Sequence, residues 1–369
     1  MQANIGSAER VALRLRDLYN QYGYRHYKMS KFEEYDLYAR NKDFLVSDSV
    51  ITFTDLSGKL MALKPDVTLS IVKNSKDTPN AVQKLFYDEN VYRVTKGSHG
   101  FKEIKQVGLE CLGNVDDYCI AEVLMLAGQS LTAISEDAVL DVSNLNILKE
   151  LTDSIGIPMD CREKLVKFIS EKNPHELTAL CQQCGIRQEY VDTLRWLVST
   201  GGSPATILPQ LKEKLAGLVK AETLNRFENI LSALGDEAFI RIDFSVVDDI
   251  HYYNGIVFKG FVRGLPGSVL SGGQYDKLMR KMNRTDRAVG FAVYTDLLDR
   301  LEEPTPEYDV DTVLLYDDTT SLAAIRQQAQ ALTAQGLSVM VLRSMPETVR
   351  YRQLMKICGN EVKLLENDA

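Results

Sequence analysis

The spacing of apolar residues predicts an N-terminal helix followed by a β-rich region. Val11, Leu15, Leu18 and Tyr22 recur three or four positions apart, as on one face of a helix, and Gly23 is suited to end it. Beyond this helix the pattern alternates or runs in short apolar segments, which is typical of strands. The expected elements are a strand at 24–28, a hairpin of 50–55 and 59–63 with Gly58 in its turn, a short helix at 68–73, and a long antiparallel pair of 84–93 and 103–111.

A long helical stretch is predicted to interrupt the β pattern. Asp116 or Asp117 suits the N-cap of a helix that runs to about residue 134, and a strand is expected at 138–142. From about 144 to 235 the pattern is almost wholly helical, and Pro174 suits the first turn of one of its helices. We therefore expect an all-helical insertion between two β-rich halves.

The β pattern then returns and ends in a small domain of a different type. Strands are expected at 239–247, 254–263, 268–271 and 288–293, with helices at 275–282 and 295–301. Pro304 and Pro306, among acidic residues, mark a linker. The remaining segments are predicted as strands at 311–316, 338–342 and 362–365 and helices at 321–335 and 348–358.

This order predicts an α+β core over residues 1–303 and a small, parallel, doubly covered α/β unit over residues 307–369. The net charge of −8 argues against a protein that mainly grips nucleic acid. Apolar runs of the roughly 18 residues needed for a membrane span are absent from the sequence, and the N-terminus does not resemble a secretory signal.

The six cysteines do not form a recognisable metal motif. Cys181 and Cys184 have C-x-x-C spacing, but the sequence offers no second pair and no paired histidines, so we expect two cysteines on one helix before Gly185 and no metal. The other four stand alone in the sequence. This usage favours a reducing, cytoplasmic location.

Two segments of the first half carry candidate binding residues. Pro65-Asp66-Val67-Thr68 places an acid where it could bind an ammonium group, although an acid at this position more often caps a helix. Gln106, Gly108 and Glu110 share one face of a predicted strand, with Gly108 leaving room for a ligand. Arg93 on the neighbouring strand would suit a phosphate or a carboxylate. A solvated sheet face with a surface Gln–Glu pair is an equally open interpretation.

Two further segments follow the helical insertion. Tyr252 and Tyr253 precede an Asn-Gly turn, and one of them could reach a pocket; His251 could contact a ligand, although a lone histidine is more often structural. Gly272 and Gly273 allow close backbone approach at the start of a helix, as in anion or nucleotide sites. Neither the dinucleotide fingerprint nor the P-loop pattern is present in the sequence.

Taken in order, these motifs resemble histidyl-tRNA synthetase over about residues 1–303. The resemblance covers the Pro-Asp-x-Thr turn, the Tyr-Arg strand, the Gln-x-Gly-x-Glu strand, the helical insertion, the Tyr-Tyr turn and the Gly-Gly-x-Tyr-Asp segment. It implies the class II aminoacyl-tRNA synthetase fold, a six- or seven-stranded antiparallel sheet with flanking helices, normally dimeric.

Departures from that family's pattern decide the expected function. Asp248-Asp249-Ile250-His251 stands where those enzymes carry Arg-Gly-Leu-Asp, Gln274 replaces the arginine of Gly-Gly-Arg-Tyr-Asp, and Leu297 replaces an arginine that grips ATP. Adenylate formation needs fixed cations around the phosphates. Arg93 alone does not make an ATP site, so we expect no catalytic residue and no cofactor.

The chain is more similar to the regulatory subunit of ATP phosphoribosyltransferase, a histidyl-tRNA synthetase-like protein without aminoacylation. That resemblance implies a short-form catalytic subunit as partner, a role in the first step of histidine biosynthesis, feedback by histidine, a homodimer within a hetero-oligomer, and no tRNA. It also implies a histidine pocket formed by Asp66, Thr68, Arg93, Gln106, Glu110, Tyr252, Tyr253, Gly272 and Gly273.

Within that implied pocket, Asp66 and Glu110 would face the ammonium or imidazole, a tyrosine the ring, and Arg93 the carboxylate. Gly272 and Gly273 would shape the floor. Two alternatives remain: a scaffold that uses the fold only for dimerisation, and an active synthetase with unusual residues.

Overall fold

The computed structural model describes residues 6–45, 50–75, 81–94, 100–235, 239–247, 252–300, 308–345, 348–358 and 361–367. The chain divides into a large unit, Gly6–Leu301, and a small C-terminal unit within Glu302–Ala369.

Twelve strands of the large unit are described. In chain order they are β1 Arg25–His26, β2 Phe32–Glu34, β3 Thr52–Thr54, β4 Leu60–Leu63, β5 Val82–Val94, β6 Phe101–Gly113, β7 Ala138–Asn144, β8 Gly201–Gly202, β9 Ile240–Asp243, β10 Ile256–Val262, β11 Leu270–Gln274 and β12 Arg287–Tyr294.

The helices of the large unit lie mainly before β5 and between β6 and β9. They are α1 Ser7–Gln21, α2 Tyr35–Ala39, α3 Val67–Asn74, α4 Asp117–Thr132, α5 Leu145–Ser154, α6 Met159–Ser170, α7 Pro174–Gln183, α8 Gln188–Ser199, α9 Pro204–Lys214, α10 Ala221–Ser232 and α11 Asp276–Lys281, with short 3-10 helices at Lys42–Phe44 and Thr295–Arg300. Among the described helices, none is both long and apolar enough to cross a bilayer.

The described residues of the large unit form one sheet in the order β1-β5-β6-β12-β11-β10-β7-β9-β8 and a small sheet in the order β2-β4-β3. Every neighbouring pair from β5 through β7 is antiparallel, whereas β1 with β5 and β7 with β9 are parallel. The predicted hairpin and the predicted long antiparallel pair are both confirmed.

Alternation along β6 divides the main sheet into two faces with different roles. Val107, Leu109 and Cys111 join the core formed with α1 and α4. Side chains two positions apart on a strand share a face, so Gln106 and Glu110 lie on the opposite face, as expected. The helix-covered face therefore stabilises the sheet and leaves the other face available for a site.

The helical insertion is attached to the sheet through an ion pair. Lys172, between α6 and α7, donates from Nζ to Oδ2 of the buried Asp243 on β9 at 2.5 Å. Within the sheet, Arg241 on β9 binds Asp141 of the neighbouring β7 at 2.9 Å. Pro174 occupies the first turn of α7 as predicted. The insertion is predicted to be all helical, but it also contains β8, whose two glycines pair with β9 at the edge of the sheet.

Three predicted elements of the large unit have different extents. The strand expected over 239–247 is confined to Ile240–Asp243, where it is paired between β7 and β8. The strand expected over 268–271 runs through the glycine pair to Gln274, because β10 and β12 hold both of its edges. The last predicted helix, at 295–301, is a 3-10 helix.

The C-terminal unit contains β13 Val310–Leu315, α12 Leu322–Ala334, β14 Val339–Leu342, β15 Tyr351–Cys358 and β16 Glu361–Asn367. The helix predicted over 348–358 is wrong, since that segment forms β15, parallel to β13 on one side and antiparallel to β16 on the other. Leu354 and Ile357 have helical spacing, but pairing on both edges decides the conformation. In the part of this unit that is described, the sheet has one helix and is not doubly covered.

The turn before α3 is fixed by a buried lysine. The Lys64 side chain is 0% exposed, and its Nζ lies 2.8 Å from Oε2 of Glu89 on β5. The Lys64 backbone bonds to Lys31 and Tyr92 on its two sides. Burial lowers the pKa of Lys64, and Glu89 opposes that shift. This contact holds the chain at the point where the Pro65-Asp66 turn begins.

Replacement of Glu89 by glutamine should leave the Lys64 ammonium buried beside a neutral amide. We expect the free energy of unfolding to fall by about 2 kcal/mol, less than the roughly 3–5 kcal/mol for complete removal of one partner of a buried pair, because the amide oxygen still accepts a hydrogen bond. Urea unfolding measures this as a lower midpoint with an unchanged slope. Glu103→Gln, at an exposed position on β6, is the control and should change stability by no more than about 0.5 kcal/mol. Equal effects of the two changes would contradict this role of Lys64.

Candidate functional site

A cavity of about 320 Å³ lies on the face of the main sheet opposite α1 and α4. Its walls come from β6, β11 and β12, the turn before α3, the 3-10 helix at Lys42–Phe44, and the tyrosine pair before β10. The lining residues are Asp43, Phe44, Leu45, Asp66, Val67, Thr68, Tyr87, Arg93, Gln106, Glu110, Tyr252, Tyr253, Ser271, Tyr275, Gly290, Phe291, Ala292 and Tyr294.

Glu110 lines this cavity and is 2% exposed. Its Oε1 accepts a hydrogen bond from the Thr68 hydroxyl at 2.6 Å, and its Oε2 accepts one from the Tyr275 hydroxyl at 2.6 Å. Burial raises the pKa of Glu110 to about 8, although both hydroxyls oppose the shift. This carboxyl group is therefore mostly neutral at pH 7.

The glycine that pairs with Glu110 leaves the space that the Glu110 carboxyl group occupies. Gly290 on β12 pairs directly with Glu110 on β6, and a Cβ atom at Gly290 would overlap the Glu110 carboxyl group and the Leu109 carbonyl. Directly paired residues of neighbouring strands share a face. A larger residue at 290 would therefore push Glu110 away from Thr68 and Tyr275.

Asp66 has the capping role that the sequence allowed, and its side chain also lies in the cavity wall. It caps α3 by accepting a hydrogen bond from the Leu69 amide at 2.8 Å. Its Oδ2 lies 3.8 Å from a terminal nitrogen of Arg93, whose Nε donates to the Pro65 carbonyl at 2.7 Å. Burial raises the pKa of Asp66, and Arg93 partly offsets this.

Aromatic rings form one wall of the cavity. The rings of Tyr252 and Tyr253 meet edge to face with centroids 4.7 Å apart, and Phe44 and Tyr275 lie about 6 Å from Tyr252. Burial holds the pKa of Tyr252 and of Tyr275 well above the usual range, so both hydroxyls remain protonated donors. This wall suits a flat or cationic group.

Seven of the nine predicted site residues line the cavity: Asp66, Thr68, Arg93, Gln106, Glu110, Tyr252 and Tyr253. Gly272 and Gly273 do not; they lie inside β11 and not at the start of a helix, and neighbouring side chains cover both. The Tyr253 ring covers Gly273, and the other glycine faces Phe258 and Phe291.

The space over Gly108, expected for a ligand, is filled by a neighbouring side chain. Tyr87 pairs directly with Gly108, and its hydroxyl lies where a Cβ atom of residue 108 would be. Gly108 is therefore required for the packing of Tyr87, which in turn lines the cavity.

Sequence reasoning missed Phe44, Tyr87, Tyr275 and Gly290. Tyr275 lies within the Gly-Gly-x-Tyr-Asp segment, and Gly290 begins Gly-Phe-Ala, so the sequence contained a signal for both. Their importance depends on which strands are neighbours and in what register, and local patterns do not specify either.

Acidic groups outnumber cations in the described lining. Asp43, Asp66 and Glu110 line the cavity together with one guanidinium, that of Arg93, and Asp43 pairs with Lys281 at 2.6 Å. With Arg93 as the one cation of the described lining, the cavity is poorly suited to a polyphosphate. Among the residues that the structure covers, no cluster of three or more potential ligands could hold a metal.

The structure describes two of the positions at which a synthetase arginine is expected to have been replaced. Gln274 is buried outside the cavity, where its Oε1 accepts a hydrogen bond from the Ile256 amide at 2.9 Å. Leu297 packs against the main core. Asp248, Asp249, Ile250 and His251 lie outside the described residues. The two residues that can be followed thus serve packing and strand pairing.

Comparison with known families identifies the family of this chain. The family profile described as histidyl-tRNA synthetase matches residues 2–298. The chain belongs to the histidyl-tRNA synthetase family. An ATP phosphoribosyltransferase regulatory subunit from Acetivibrio thermocellus is 25% identical over 370 residues, 96% of this chain and 88% of that protein.

Solved structures of this family share the fold. An ATP phosphoribosyltransferase regulatory subunit/histidyl-tRNA synthetase from Bacillus halodurans matches with a TM-score of 0.77 at 21% identity, covering 95% of this chain and 93% of that one. A chain of an ATP phosphoribosyl transferase (HisG:HisZ) complex from Thermotoga maritima matches with a TM-score of 0.60 at 17% identity, covering 77% and 96%. The class II synthetase-like fold and the resemblance to regulatory subunits are thus confirmed.

The raised pKa of Glu110 predicts a specific pH dependence of stability. Its folded-state pKa lies above the unfolded value, so its stabilising contribution is complete below about pH 4.5 and is lost as the pH rises through about 8. Glu110→Gln, which keeps the shape without titrating, should gain stability relative to the wild type by up to ~1.4 kcal/mol per pH unit in this window. Urea unfolding at pH 6, 7 and 8 tests this, with Glu103→Gln as the exposed control. Parallel profiles for wild type and Glu110→Gln would contradict the assignment.

Proposed function

We propose that this chain is a regulatory subunit of ATP phosphoribosyltransferase that binds histidine in the cavity around Glu110 and leaves catalysis to a short-form catalytic partner. The observation that carries the proposal is a cavity with amino-acid-binding features in a family member that lacks synthetase arginines. Relatives that carry this name across almost the whole chain support it. A homodimer within a hetero-oligomer remains the expected assembly.

The size and chemistry of the cavity suit a small cationic amine with a ring. Its volume lies at the lower end of the range for small-molecule sites. Asp66 and Glu110 can face an ammonium or imidazole, and Gln106 can donate or accept a hydrogen bond. Tyr252 offers a ring face, and Arg93 is the candidate for the carboxylate. A bound ammonium would favour the ionised form of Glu110, so histidine binding should release a proton near pH 7.

The same lining is unsuited to ATP chemistry. Adenylate formation places negative charge on a phosphate that fixed cations must stabilise. In the described lining, Arg93 is the one cation, and it is already engaged with Asp66 and the Pro65 carbonyl. This balance favours the regulatory interpretation over an active synthetase.

Regulation in this scheme is a coupling free energy between the cavity and the catalytic partner. Histidine changes the activity of the partner only if it binds two states of the complex with different affinity. The partner must then change the affinity for histidine by the same factor.

Reconstitution with a purified short-form catalytic subunit tests the proposal directly. We expect assembly into one complex and inhibition of ATP phosphoribosyltransferase activity by histidine. With the Glu110→Gln chain, the half-inhibitory histidine concentration should rise at least about tenfold, because a charged hydrogen-bonding partner is lost. Glu103→Gln should behave as wild type. Failure to assemble would remove the partner assignment, and identical inhibition of wild type and Glu110→Gln would remove the pocket.

An ATP–pyrophosphate exchange assay with histidine separates this proposal from an active synthetase. The lining described above predicts no exchange above background, since too few cations face the triphosphate. A known histidyl-tRNA synthetase run in parallel provides the positive control. Histidine-dependent exchange by this chain would contradict the regulatory assignment.

A further inference from the structure

Two cysteines that are distant in sequence meet in the helical insertion. Cys161 lies in the first turn of α6, and Cys184 directly follows the last residue of α7. Their Sγ atoms are 2.9 Å apart although 23 positions separate the residues. Because α6 and α7 form an antiparallel hairpin, this contact lies at its open end, away from the connecting loop that contains Lys172.

This sulfur pair differs from the other cysteines in its solvent exposure. Cys161 and Cys184 are half-buried, whereas Cys111, Cys119 and Cys181 are buried. Cys358 is exposed but lies in the C-terminal unit. A disulfide needs sulfurs about 2.0 Å apart, so a small side-chain movement would bring Cys161 and Cys184 to bonding distance. They are therefore the pair that combines contact with access.

We propose that Cys161 and Cys184 are a modification site that a low-molecular-weight disulfide, such as glutathione disulfide, oxidises to an intramolecular disulfide. One thiolate attacks a sulfur of the small disulfide, forming a mixed disulfide and releasing one small thiol. The second cysteine, as its thiolate, attacks the protein sulfur of that mixed disulfide and displaces the second small thiol. Two cysteine thiols are thus oxidised, and one small disulfide is reduced to two thiols.

The bridge would close the open end of a hairpin that is already anchored at the other end. Lys172 in the connecting loop binds Asp243 on β9, so the hairpin would be held at both ends. Hydrogen bonding to Cys161, followed by burial, raises the pKa of Cys184 to about 11, so the reaction should be faster at higher pH. The expected structural effect is a stiffer α6–α7 pair.

Treatment of the full-length protein with glutathione disulfide tests this proposal. We expect the free thiols to fall from six to four, an intact mass lower by two hydrogens, and a cross-linked peptide pair that contains Cys161 and Cys184. Dithiothreitol should restore all six thiols. Hydrogen exchange in α6 and α7 should be slower in the oxidised form.

Single serine variants define the pair. Cys161→Ser and Cys184→Ser should abolish the cross-link and leave a glutathione adduct on the remaining partner. Cys181→Ser and Cys358→Ser should form the cross-link as in wild type. A cross-link between Cys181 and Cys184, adducts on Cys358 with no cross-link, or six free thiols after treatment would each overturn the proposal. All of these readouts are independent of histidine binding and of the catalytic partner.

Discussion

The site depends on one buried carboxyl group held by two hydroxyls. Glu110 can lie inside the sheet only because Thr68 and Tyr275 bond its oxygens and Gly290 leaves the space opposite it. Each partner comes from a different element, namely the start of α3, the residue before α11, and β12. The contact therefore ties the turn, the strand end and the central sheet together around the cavity, and burial keeps the carboxyl group poised between its charged and neutral forms.

Periodic patterns predicted much of this architecture. The alternation along β6 placed Gln106 and Glu110 on one face, and Gly58 and Pro174 marked a turn and a helix start. Prediction failed where distant pairing decides the outcome. Tyr351–Cys358 is a strand because β13 and β16 flank it, and the glycine pair of β11 serves close packing and not a ligand. Register, which brings Tyr275 and Gly290 to Glu110, is not encoded in any single segment.

The described lining of the cavity keeps several acidic groups, whereas arginines of the synthetase pattern have been replaced elsewhere in the fold. Gln274 supports the start of β10 in place of reaching a phosphate, and Leu297 contributes to the core. The fold that surrounds an amino acid in the histidyl-tRNA synthetase family is kept, while the described lining lacks the charges that activation needs. Under the proposed function, this cavity would bind an amino acid without activating it.

Isothermal titration calorimetry with free histidine tests the central claim, that Glu110 is the centre of a histidine site. The account predicts one-site binding to the wild-type chain, with affinity at least about tenfold weaker for Glu110→Gln because a buried charged hydrogen bond is lost. Equal binding to both proteins, or no binding to the wild type, would contradict it.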